Sequence, residues 1–198
     1  MVAYMRAGSL NIRQKFTEDL TKAAGSLRIV MSSPTAAPRS PYEAVSEALN
    51  RFDALPAGRR AIVLFSDGVD AAQGLSALST VSTPDMERAI LKAERKSVAV
   101  YSIYSPATFT ERDNSNLPLI GQGGLEKLSD ETGGRAFFQG TIAPLSFDPF
   151  FKDLTILLNR QFALTYLSTH MKRGYHSVDV RSTNPEVKIE HPKGYYYR

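Results

Sequence analysis

The sequence predicts an α/β domain with a mainly parallel sheet, followed by a small antiparallel β appendage. Ala61 to Ser66 is an unbroken apolar run that ends in Ser66-Asp67-Gly68, the pattern of a strand buried on both faces inside a parallel sheet. An amphipathic helical stretch separates it from a second β-prone run, Ser97 to Tyr104, and strand-helix alternation of this kind builds parallel sheets. After Gln161 the helical periodicity stops, and short β-prone stretches follow with only turns between them. The chain therefore divides into an α/β unit, 1–161, and a β appendage, 162–198.

Each element has its own local reason. Val2 to Arg6 and Leu10 to Gln14 flank Ala7-Gly8-Ser9 and read as a hairpin. Thr17 precedes Glu18 and Asp19 as an N-cap would, with acidic residues in the first helical turn. Leu27 to Met31 reads as a short extended piece, and Ser32 to Pro41 as a loop. In Tyr42 to Leu55 the apolar residues Ala44, Val45, Ala48, Leu49 and Phe52 recur at helical spacing behind Pro41, which suits the first helical position. Asp70 to Pro84 reads as a loop, Asp85 to Lys96 as a helix, and Pro106 to Gly121 as a long polar loop. Gly123 to Thr132 is a helix closed by Gly133-Gly134. Arg135 to Phe138 is a short strand, and Phe147 to Gln161 a helix whose Phe150, Phe151, Leu154, Leu157 and Leu158 face the core. Phe162 to Leu167, Ser177 to Arg181 and Val187 to Glu190 are the expected strands of the appendage.

Composition narrows the function classes. The 198 residues carry a net charge of +4, but Lys and Arg are dispersed rather than blocked, which argues against a nucleic-acid partner. Without cysteine there is no thiolate metal site and no Cys nucleophile. No apolar run approaches the ~20 residues of a membrane span. Met1 to Arg6 lacks the basic and apolar regions of a signal peptide. His170, His176 and His191 lack metal-ligand spacing, and no Gly-x-Ser-x-Gly elbow is present. Gly121-Gln122-Gly123-Gly124 lacks the Lys-Ser/Thr of a phosphate loop and reads as a flexible helix start. Tyr195, Tyr196 and Tyr197 read as the end of a strand packed on the domain.

The candidate site is the end of the first apolar run. Asp67 stands where a parallel strand meets its C-terminal loop, the edge at which open α/β sheets bind ligands, and Gly68 permits a sharp turn there. With Ser66 and Asp70 it forms an oxygen-rich group suited to a hard cation, directly or through water. The same residues also suit a polar turn with no ligand.

Ala61 to Asp70, preceded by the helix Tyr42 to Leu49, resembles the von Willebrand factor type A domain, and more narrowly the bacterial "VWFA-related" proteins described from acidobacteria. Phe16-Thr17-Glu18-Asp19, Leu125 to Gly134 and Pro192-Lys193-Gly194-Tyr195-Tyr196 resemble further segments of that family in the same order. The resemblance implies a Rossmann-like sheet with helices on both faces and strand order 3-2-1-4-5-6. It implies a Mg²⁺-type site built from an Asp-x-Ser-x-Ser motif, a Thr from a second loop and an Asp at a central strand's end, completed by a carboxylate of a protein ligand. Asp67 matches that last Asp. At the second loop the matching position is Arg39, whose fixed charge repels a cation, and Ser40 is the nearest hydroxyl. The Asp-x-Ser-x-Ser motif does not occur, and Val2 to Arg6 resembles the family's second strand, so the resemblance places the first strand before Met1. The expected consequences are an incomplete metal site and a gap between Val2–Arg6 and Ala61–Phe65, unless the two strands close up or another chain supplies one. The family resemblance also points to an exported protein, while the residues themselves leave the compartment open.

Two functions follow. One is a non-catalytic protein-binding or adhesion module that uses Ser66, Asp67 and Asp70, with Ser40 and Asp67 as the partial metal site. The other is a metal-assisted or nucleotide-dependent enzyme, for which a complete catalytic set would be needed.

Overall fold

A computed structural model describes residues 1–6, 9–28, 40–56, 58–72, 82–106, 116–162, 164–169 and 172–197. Strands β1 (Val2–Arg6) and β2 (Ser9–Gln14) form an antiparallel hairpin, as expected. Helix α1 (Leu20–Gly25) begins two residues later than the sequence suggests, because Asp19 rather than Thr17 accepts the hydrogen bond from Lys22 N–H, at 2.9 Å. Helix α2 (Pro41–Leu49) carries Pro41 in its first turn and tightens into a 3₁₀ segment, Asn50–Ala54, where an α-helix to Leu55 was expected. Leu27 and Arg28 lie in no strand, and the rest of the predicted extended piece and most of the next loop lie outside the described residues.

The central sheet is parallel, three-stranded and ordered β3-β4-β5, from β3 (Ala61–Ser66), β4 (Ala99–Tyr104) and β5 (Ala136–Phe137). Helix α3 (Pro84–Lys96) links the first two strands, and α4 (Leu117–Glu131) precedes the third. Helix α5 (Asp148–Asn159) follows the third strand. Helices cover both faces. On one side Tyr42, Val45, Leu49, Met86, Ile90 and Leu128 pack with Val100, Ile62 and Leu64. On the other Phe150 and Leu154 pack with Tyr101, Ile103 and Phe137. This layout agrees with a Rossmann-like arrangement and leaves β4 buried on both sides.

β3 departs from the expectation of a strand buried on both faces. Val63 and Phe65 are 40% and 48% exposed. Arg60 and Ser66 carbonyls accept hydrogen bonds from Ala99 and Ser105 N–H, so alternation turns the backbone groups of Ala61, Val63 and Phe65 toward the opposite edge. Among the described residues nothing pairs with that edge, and the β1–β2 hairpin forms a sheet of its own. The hairpin and β3 have not closed up. Helix α2 holds the hairpin instead, through Leu10 N–H to Glu47 Oε2 at 3.0 Å and the edge-on contact of Phe16 with Phe52 in the following 3₁₀ segment.

Helix α4 begins at Leu117, six residues before the predicted start, so part of the expected 106–121 loop is helical; 107–115 lie outside the described residues. Gly121-Gln122-Gly123-Gly124 is therefore helix interior and not a flexible start. A Cβ on Gly121 would lie 2.0 Å from the Asp67 carbonyl oxygen, and one on Gly124 2.3 Å from the Tyr42 hydroxyl. Glycine lets the helix approach the β3 loop closely, and that packing offsets its poor helix propensity. The exit matches expectation: Gly133 has φ +78°, and Gly134 N–H reaches Ser129 O at 2.8 Å.

The appendage differs most. Its ladder joins β6 (Gly174–Ser177) to β7 (Gly194–Tyr197), and neither Phe162 to Leu167 nor Val187 to Glu190 is a strand among the described residues. Within Ser177 to Arg181 only Ser177 is in a strand. Cross-strand aromatic contact selects this register: Tyr175 meets Tyr196, and His176 stacks on Tyr195 with centroids 5.2 Å apart. The turn at Asn184, which accepts Val187 N–H through its carbonyl, directs Val187 to Glu190 away from a ladder. As expected, the tyrosine tail ends in a strand that packs on the domain, with the Arg95 guanidinium 4.8 Å over the Tyr196 ring.

Candidate functional site

Ser66, Asp67 and Asp70 lie together in the loop that leaves β3. The loop is a chain of side-chain-to-backbone bonds. Ser66 Oγ accepts Gly68 N–H at 3.0 Å, Asp67 Oδ1 accepts Val69 N–H at 3.2 Å, and Asp70 Oδ1 accepts Ala72 N–H at 3.1 Å. Such local bonds let Ser and Asp shape a turn without a ladder. Gly68 adopts φ +71°, and a Cβ there would lie 2.1 Å from the Gly121 carbonyl oxygen, so both the turn and the approach of α4 require glycine.

Two residues that the sequence reading did not single out complete the loop. Tyr42, buried on α2, donates its hydroxyl to the Gly68 carbonyl at 2.8 Å. Thr83 caps α3, accepting Met86 N–H, and donates its hydroxyl to Asp70 Oδ2 at 2.6 Å. The Thr83-Pro84-Asp85 pattern signals a helix cap; nothing in the sequence ties it to Asp70, thirteen residues upstream. The loop is thus held to α2, α3 and α4 at once.

Burial decides the electrostatics. Desolvation pushes the Asp67 carboxyl up to about 6, against the opposing pull of Val69 N–H, its own N–H and the Ser66 hydroxyl. Burial raises Tyr42 well above the usual phenol range, with the charges of Asp70 and Asp67 acting in the same direction. Both carboxylates therefore lie within electrostatic reach of one hydroxyl.

Ser40, two residues before Tyr42, is fully buried at the α2 N-cap position without capping the helix. Its Oγ has no hydrogen-bond partner among the described residues. An unpaired buried hydroxyl costs about 1–3 kcal/mol, so Ser40 holds a donor with capacity unspent among the described residues. No hydrogen bond joins Ser40 to Asp67 among the described residues.

The donor set does not complete a Mg²⁺ shell. A hard cation wants near-octahedral oxygen coordination. Both Asp70 oxygens and the Ser66 hydroxyl already serve the loop's own bonds, and burial favours the neutral form of Asp67. Asp67 and Ser40 alone would supply part of a shell. No group of three or more His, Cys, Asp or Glu suited to a metal occurs among the described residues. No family model, curated protein or solved structure matches the chain.

Proposed function

We propose that this chain is a non-catalytic protein-binding module of the von Willebrand factor A type, contacting its partner through the loop after β3. The observation that supports this most is the rigid mounting of a polar rim. Asp67 and Asp70 lie at the C-terminal end of a parallel strand, and the Tyr42, Thr83 and Gly121 contacts fix the loop that carries them. Polar groups held on a stiff scaffold bind with little ordering cost. Ser66, Asp67 and Asp70 are the contact residues. Ser40 and Asp67 form the fragment of a cation site that further ligands would have to complete.

Asp67→Ala tests the reading directly. Binding through this rim is expected to weaken at least tenfold while the circular-dichroism spectrum stays that of the wild type. Unchanged binding by the folded variant would refute it.

A further inference from the structure

The C-terminal hairpin packs on α3, which carries a buried acid with no ion-pair partner among the described residues. Glu94, in the last turn of α3, is 8% exposed, and its Oε1 has no hydrogen-bond partner among the described residues. The element packed above is β7, held to α3 by Arg95 over Tyr196. The hairpin's approach is tied down beside it: Lys193 N–H reaches Glu131 O at 3.1 Å, Lys193 Nζ reaches Asp130 at 3.2 Å, and Thr132 bridges Pro192.

The charges around Glu94 do not favour its ionised form. On α3, Glu87 acts on it electrostatically but is itself paired with Lys127 of α4. Glu131, the last residue of α4, adds like charge, and Tyr175 of β6 feels both Glu94 and Glu131. Two cations on the facing elements are engaged with other groups: Arg95 on Tyr196 and Lys193 on Asp130. Buried unpaired charge is costly, so a proton on this carboxyl favours the docked hairpin.

We propose that Glu94 is a proton-controlled latch: neutral, it lets the β6–β7 hairpin seat on α3, and ionised, it releases the hairpin while the parallel sheet stays folded. Burial and the two neighbouring glutamates hold the seated carboxyl at about 7, above the ordinary 4.5. A group whose seated value is raised contributes full docking strength below about pH 4.5, and that strength falls until about pH 7 and then levels off.

Hydrogen exchange, corrected for intrinsic rates, reads the latch amide by amide. Between pH 5 and 8, protection of the Tyr195 to Tyr197 amides is expected to fall by about 10- to 100-fold, while the Val100 to Ile103 amides of β4 hold theirs. Glu94→Gln should keep the hairpin protected equally at both values. If that variant does not fold, Glu131→Gln serves, and the fall should then move to lower pH because a like charge is gone. A hairpin whose protection ignores pH in the wild type, a Glu94→Gln or Glu131→Gln profile that copies the wild type, or a β4 that opens in step with β7 would overturn the proposal.

Discussion

Asp67 is half-buried with a carboxyl raised from 3.8 to about 6, and this makes it a stability group as well as the proposed contact. Its folded value exceeds its unfolded one, so the folded state holds the proton more tightly. Its contribution is fully present below pH ~4 and is lost as the pH rises through about 6. Asp67→Asn keeps the shape and removes the charge, and is expected to stabilise the fold at pH 7.5 by about 1–3 kcal/mol, read from urea denaturation. A destabilised variant would show that the carboxylate's hydrogen bonds outweigh its desolvation. The Ser66, Asp67 and Asp70 group was legible in the chain because three oxygen-bearing residues follow one apolar run. Tyr42 and Thr83 were not, because their contacts span 26 and 13 residues and depend on how separate helices meet the loop.

At the scale of elements, the strands and helices of the α/β unit were legible from periodicity, and the errors have physical sources. An apolar run reports burial tendency but not which edge is paired, so β3 reads as central although Val63 and Phe65 lie on an open edge. Helix propensity misplaced the start of α4, because the closeness of Gly121 to Asp67 is a tertiary property. Gly121→Ala should therefore cost more than ~2 kcal/mol. Gly25→Ala at the end of α1, where a Cβ meets nothing within 4 Å, should be neutral or stabilising by up to about 1 kcal/mol. Equal effects in thermal unfolding would remove the packing explanation for the glycines. An open, apolar edge is also a template for strand pairing, and Val63→Lys is expected to reduce concentration-dependent light scattering with little change in stability. Unaltered scattering would mean that β3 does not drive association.

For the whole molecule, two carboxyls have raised values, the half-buried Asp67 in the loop after β3 and the buried Glu94 in the last turn of α3. Both lose favourable protons between about pH 4 and 7, so the melting temperature should fall across that interval, and the double variant Asp67→Asn/Glu94→Gln should flatten the profile. The change of periodicity at Gln161 is the sequence signal for dividing the chain there, whereas the pairing of β6 with β7 depends on aromatic contacts that alternation alone does not encode. The proposed function rests on the rim after β3. Wild-type chain and the Asp67→Ala variant, both immobilised, can be compared for the proteins each retains from the same extract, with Arg59→Ala, before the opposite end of β3, as a control. The expected result is a set of proteins held by the wild type and the control and lost on Asp67→Ala, with all three chains equally folded by circular dichroism. Identical sets on all three chains would contradict binding through this loop.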